Sequence, residues 1–306
     1  MQKLFIFRYA AVRACKWVDE IVVDAPYVTQ LEIMDAYGCE LCVHGDDIST
    51  TADGSDSYAA VKNAGRFATV KRTECVSTTE LVGRMLLMTR DHHIPSEISQ
   101  EISRSPYTNG GVCSRLMPTA QRIAQFSART REFDPSNDRV IYVDGAFDLF
   151  HAGHAELLRR ARELGTFVVV GLHDDATINR IRGSNLPVMN LQERLLGVLS
   201  CKYVDDVIIG APYSVSKEFL LSGPFKKIAA VVHGVTSCPP DLNGNDPYDA
   251  AKELDIYHEI ETPFSYLSAQ SIIERVIQSR AAYEERNRKK EAKELATLRL
   301  QSNAKQ

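Results

Sequence analysis

His151 and His154 stand three residues apart in the run Asp144-Gly145-Ala146-Phe147-Asp148-Leu149-Phe150-His151-Ala152-Gly153-His154. A short apolar strand over 140–143 leads into this run, and an amphipathic helix follows it. A helix start offers unpaired N–H groups and the positive end of the helix dipole, so a phosphate chain binds there readily. Imidazole N–H donors beside it can follow charge onto phosphate oxygens in a transition state. Gly153 leaves room for a nucleotide close to the backbone, and the turn at Gly145 frees the loop between strand and helix. An isolated HxxH usually marks solvated or core histidines; the strand–turn–helix setting favours a phosphate site here. Zinc would need a third ligand, and no cysteine or acidic pair is placed to supply one, so no metal ligands are expected.

The elements that must position these histidines come from a unit that occurs twice. RYAAVRACKWVDEIVVDAPY (8–27) answers RLLGVLSCKYVDDVIIGAPY (194–213), and HGDD (44–47) answers HGVT (233–236). GSDSY (54–58) answers GNDPY (244–248), and VSTTELVGR (76–84) answers LSAQSIIER (267–275). So long a period means duplicated domains rather than a solenoid. Each copy reads as an apolar helix, a buried strand (20–23; 206–209), a second helix, another strand (39–44; 228–233) and a closing helix. Helices alternating with β-branched runs predict an α/β, Rossmann-like, doubly wound parallel sheet, duplicated. Upstream of the second copy, residues 139–175 add two more buried strands and a helix. Only seven residues precede the first copy, which is therefore expected to be incomplete and to leave an apolar sheet edge open. The expected division is an incomplete first domain over 1–93, a Ser-, Pro-, Asn- and Gly-rich linker over 94–137 with a helical stretch near 120–126, a second domain over 138–279, and a charged helical tail over 280–306.

Composition narrows the class further. A net charge of -4 over 306 residues gives no sign of a nucleic-acid or membrane-surface binder. No apolar run approaches a membrane span or a signal-peptide core, and seven scattered cysteines suit a reducing compartment. A cytoplasmic protein is expected, loosely associated at most with the endoplasmic reticulum, with a homodimer left open. Asn190 and Glu193 read as a capping box. Arg194 and its repeat partner Arg8 suit a phosphate contact or a surface charge about equally. His173, Asp174 and Asp175 end a strand where α/β sheets bind ligands, although a solvated turn explains them nearly as well. His44 and His233 end corresponding strands, and nucleotide contact is expected of both.

GAFDLFHAGH, PVMNLQER (187–194), KYVDDVIIGAPY and the His-Gly strand end resemble the cytidylyltransferases. The tandem arrangement, with MPTAQRIAQFS between the copies and EERNRKKEAKELA in the tail, is similar to that family's two-copy members. The resemblance implies an HxGH nucleotidyltransferase fold and a Mg²⁺-dependent reaction of CTP. Phosphoethanolamine would attack the α-phosphorus in line, releasing pyrophosphate. It implies that His151 and His154 hold the triphosphate, that Gly145, Ala146, Phe147, Asp148 and Gly153 form the nucleotide loop, and that Arg182 meets the substrate phosphate where the family has lysine. Arg72, Ser77, Thr78 and Thr79 match the family's second signature, whose arginine and hydroxyls grip phosphates, with Cys75 replacing its usual glycine. Neither copy holds both signatures. Two readings follow: a shortened form of an active enzyme with reduced or absent turnover, or a non-catalytic nucleotide-sensing or dimerising module. Completion of the His151 site by Arg72 and Ser77 is a further, weaker idea.

Overall fold

The computed structural model describes residues 2–46, 49–51, 54–71, 78–94, 132–236, 238–282, 284–285 and 288. The chain forms two compact units, one of Glu20–Ser77 and one of Met1–Asp19 with Thr78–Gln306. In chain order, the larger unit opens with helix α1 (Gln2–Arg13). The smaller unit follows with α2 (Leu31–Ala36), β1 (Cys42–Gly45), α3 (Ala59–Asn63) and β2 (Phe67–Val70). The larger unit resumes with α4 (Thr78–Leu87), β3 (Val140–Gly145), α5 (Ala152–Glu163), β4 (Phe167–Leu172), α6 (Asp175–Arg182), α7 (Leu191–Leu199) and β5 (Asp206–Ile209). It closes with α8 (Lys217–Ser222), β6 (Ile228–Gly234), α9 (Asp249–Glu253), β7 (Tyr257–Ile260) and α10 (Ala269–Gln278).

The larger unit is built on a parallel sheet of order β5-β4-β3-β6-β7. Alternation along β3 sends Ile141 and Val143 into one core with Ala155, Leu158, Leu195 and Val198 of α5 and α7. Val140 and Tyr142 enter the opposite core with Leu220 of α8 and Ala251 of α9. Helices on both faces explain why β3 and β4 read as unbroken apolar runs. The chain winds outward from β3 through β4 to β5, then returns to β6 on the other side. The crevice at the C-terminal ends of β3 and β6 is thus the topological switch point, the ligand position in such sheets. A third cluster joins Val82 and Met85 of α4 to Ile273 and Val276 of α10, with Val188 and Leu149.

Helix α1 docks against α5, and the turn after it meets the corresponding turn of the second copy. Cys15 lies opposite Cys201 in an antiparallel bridge. Lys16 N–H donates to Ser200 O at 2.9 Å, and Lys202 N–H donates to Ala14 O at 2.8 Å. Both bonds join repeat-equivalent residues in exchanged roles, so this contact has local two-fold symmetry.

In the smaller unit β1 and β2 pair in parallel, Cys42 opposite Phe67. His44 packs on Tyr58 at 4.7 Å, and Lys62 pairs with Asp56 while lying 4.8 Å over the Phe67 ring. The larger unit repeats this motif: His233 packs on Tyr248 at 5.2 Å, and Lys252 pairs with Asp246 while lying 4.9 Å over Tyr257. The duplication is therefore visible side chain by side chain.

Several expectations need correction. Residues 20–23 form no strand, and Glu20 and Val23 are exposed. Their counterpart β5 is held by β4 over four residues, and no β4 counterpart exists among the described residues of the smaller unit. Without a partner for its backbone groups an apolar run gains nothing from extending. The strand expected over 39–44 forms at Cys42–Gly45, and β2 and β7, only four residues each, were not anticipated. α1 and α4, which the repeat assigns to the first copy, pack within the larger unit. The helix expected near 120–126, most of the linker and most of the tail lie outside the described residues.

Candidate active site

The turn from β3 into α5 is fixed by the histidines themselves. His151 is the N-cap, and its Nδ1 accepts the Gly153 N–H at 3.1 Å. The His151 N–H donates to His154 Nδ1 at 3.3 Å, and the two rings stack at 3.9 Å. With both Nδ1 atoms accepting, each neutral ring must carry its proton on Nε2. His151 Nε2 is buried and has no partner among the described residues. Burial pushes the His151 pKa down to about 4. Burial also holds His154 well below the usual histidine value, helped by the neighbouring His151 and Arg182. At neutral pH both are therefore uncharged Nε2–H donors. Phe147 and Phe150 flank the His154 ring at 5.2 and 5.6 Å. A Cβ at position 153 would come within 2.9 Å of His151 Cε1 and 3.2 Å of Phe264 O, so the close approach requires glycine.

His151, His154, Phe147, Gly153 and Phe264 line a cleft of about 390 Å³ at the switch point. Its walls include Gly145, Ala146, Phe147, Asp148, Gly153, Arg182 and His233, so the structure gathers most of the residues expected at the site. The opposite wall is the segment 262–270, which leads into α10. Ser268 caps that helix, accepting the Ser271 N–H at 3.1 Å, so a second helix N-terminus faces the cleft. Asp144, at the end of β3, adds a buried carboxylate. Its Oδ1 accepts from Tyr248 Oη at 2.6 Å, while Oδ2 has no partner among the described residues. Burial pushes its pKa up, offset in part by His173, the Tyr248 hydroxyl and His233. His233 binds its own Gly234 O through Nδ1 at 2.7 Å, leaving Nε2 available.

Other expectations fare differently. Arg194 is fully buried and cannot meet a substrate phosphate. Its guanidinium donates to Met189 O, Ala146 O, His173 O and Asp175 Oδ1, tying the loops behind the cleft together. Asp148 faces the cleft, but both its carboxylate oxygens are taken by the Val188 and Met189 N–H groups, at 2.7 and 2.9 Å. His173 is likewise buried, with Nδ1 on Ala211 O. His44 belongs to the smaller unit, and the cleft walls come from the larger one alone. Thr78 and Thr79 are exposed at the start of α4 and do not line the cleft. Arg72 and Ser77 lie outside the described residues. The capping box of Asn190 and Glu193 forms as expected. No three His, Cys, Asp or Glu side chains gather as metal ligands among the described residues. Sequence reasoning missed Asp144 and all of the 262–270 wall except Ser268, which the repeat aligns with Ser77 of the second signature. The signal for both was their position after strand C-termini, where this sheet class opens.

The Cytidylyltransferase-like family model matches residues 6–84 and 142–275, one stretch per copy. The chain is 49% identical to ethanolamine-phosphate cytidylyltransferase of Dictyostelium discoideum, covering 94% of this chain and 81% of that protein. It is 46% identical to the Mus musculus protein of that name, covering 95% and 78%. The chain belongs to the ethanolamine-phosphate cytidylyltransferase family. By contrast, choline-phosphate cytidylyltransferase A of Rattus norvegicus matches at 33% identity over 48% of this chain. As a member of the ethanolamine-phosphate cytidylyltransferase family, the chain is a nucleotidyltransferase of phospholipid biosynthesis. No helix among its described residues is long and apolar enough to cross a membrane.

Proposed function

We propose that the cleft between β3 and α10 transfers CMP from CTP to phosphoethanolamine. The observation that carries this reading is the pair of Nε2–H donors, fixed in tautomer by their own backbone and set at a helix N-terminus on a switch-point cleft. An oxygen of phosphoethanolamine attacks the α-phosphorus of CTP, the bond to the bridging oxygen breaks, and pyrophosphate leaves. No covalent intermediate is required, so the protein supplies position and charge. His151 and His154 donate to oxygens of the triphosphate as negative charge builds, and the N-terminus of α10 offers further N–H groups. Arg182, exposed on the cleft rim, meets a substrate phosphate.

Asp144 takes the ammonium of phosphoethanolamine. Its free, buried Oδ2 is the one unpartnered carboxylate oxygen among the described cleft residues, and a cation would relieve its desolvation. Mg²⁺ fits as an ion that arrives on the triphosphate. No acidic cluster is present among the described residues, and Mg²⁺ commonly keeps phosphate oxygens and water as ligands. When bound it would neutralise charge on the departing pyrophosphate.

The test is steady-state turnover of CTP with phosphoethanolamine, phosphocholine and glycerol 3-phosphate. His151→Ala is expected to reduce kcat by about a hundredfold or more. Asp144→Asn is expected to raise KM for phosphoethanolamine at least tenfold, with KM for CTP little changed. Full activity in His151→Ala would overturn the assignment of the cleft.

A further inference from the structure

We infer that Arg84, on a helix belonging to the first copy, is a positioning residue for the histidine loop of the second. The inference rests on the assignment of catalysis to that cleft. The loop from Ala146 to His151 holds a difficult backbone: Phe147 and Leu149 both sit at positive φ, 48° and 50°, with Asp148 between them. Non-glycine residues keep such a conformation only where the surroundings over-determine it. Asp148 provides one hold, through the N–H groups of Val188 and Met189. That hold is only as firm as the 185–190 loop it grips.

Arg84 fixes that loop from outside. Its Nη1 donates to Val188 O at 3.1 Å, so Val188 is gripped at its N–H by Asp148 and at its carbonyl by Arg84. Nη1 and Nη2 bind the two oxygens of Glu193 at 2.7 and 2.9 Å, and Glu193 in turn accepts the Asn190 N–H at 2.8 Å. The backbone carbonyl of Arg84 accepts from Asn185 Nδ2 at 2.9 Å. Val82 and Met85 of the same helix pack in one cluster with Leu149 itself. Arg84 is 9% exposed and does not line the cleft, so it acts through the loop. A second first-copy contact props the opposite wall: Phe7 of α1 meets Phe264 and Tyr266 edge-on at 5.4 and 5.8 Å. Helices α1 and α4 of the first copy thus serve as a brace for the second.

The test separates bracing from plain stability. Arg84→Met leaves the half-buried Glu193 carboxylate without its cation, which destabilises for reasons unrelated to positioning. The double variant Arg84→Met/Glu193→Gln removes both charges. It is expected to regain most of the lost Tm while kcat stays about tenfold or more below the wild type, with KM for CTP within about threefold. Nitrogen NMR of the imidazoles supplies a readout independent of turnover. The wild type should show His151 and His154 as single Nε2–H tautomers, and the double variant should show averaging. Should the double variant not fold, Arg84→Lys carries the test on the same criteria, because it keeps the charge and loses the two-nitrogen grip. Wild-type kcat together with unaveraged tautomers in the folded variant would overturn the inference. Unchanged turnover in His151→Ala would instead remove the cleft assignment, while the tautomer readout still decides the bracing.

Discussion

The ring proton of each cleft histidine is placed by the backbone, and this has consequences in pH. His151 titrates at about 4 in the folded chain against an ordinary 6.5, because burial disfavours its charged form. The unfolded chain then binds the proton more readily, so stability is full above about pH 6.5 and is lost as pH falls towards 4. A shift of that size corresponds to roughly 3 kcal/mol at full protonation. Urea unfolding at pH 7.5 and 4.5 should show the wild type losing more stability than His151→Gln, by up to that amount. An equal loss in both would contradict the burial argument. Gly153 belongs to the same scale. A methyl group there presses on the His151 ring and on a backbone oxygen that cannot swing away. Gly153→Ala is expected to lower kcat at least about tenfold with circular dichroism unchanged, since small displacements of reacting groups cost heavily. Sequence reading reached these residues because strand, loop and helix are contiguous. It could not place Arg194, whose four partners come from separate stretches of chain. Nor could it single out Asp144, whose importance lies in one oxygen left without a partner after folding.

Among the elements, the two helix N-termini facing the cleft differ in how legible they are. α5 announces itself through its histidines. α10 begins in SYLSAQSI, which lacks most of the phosphate-gripping signature, yet its cap and its place on the cleft wall survive. Losing the Ser268 hydroxyl should cost about 1 kcal/mol and lower Tm by roughly 2–4 °C. If α10 contributes N–H groups to the triphosphate, Ser268→Ala should also raise KM for CTP, and calorimetric titration with CTP would show weaker binding. A fall in Tm without that change would make the helix a wall and nothing more. The misread strand at 20–23 teaches the complementary point. Its apolar pattern nearly matches that of β5, but strand formation depends on a neighbour, and period-two or continuous apolar runs carry no information about one.

At the level of the whole molecule, the two copies meet where the turn after α1 pairs with the turn after α7. Cys15 and Cys201 are directly opposed, and the flanking bonds of Lys16 and Lys202 make them a non-hydrogen-bonded antiparallel pair. In such pairs Cα atoms approach to about 4.5 Å, within the span a disulfide bridges. Diamide should therefore tie the two copies together, each thiol losing its hydrogen as the reagent is reduced to the hydrazine. Burial pushes the Cys201 thiol up to about 11, so closure should be slow at pH 7 and faster at pH 9. The product would be seen as a peptide cross-link between 15 and 201 in mass spectrometry, absent in Cys201→Ser. It should raise Tm by several degrees, since the link closes a long loop in the unfolded chain. If diamide modifies the other cysteines and never joins these two, the paired turns do not meet as described. The first copy could then no longer be regarded as braced against the second along this edge.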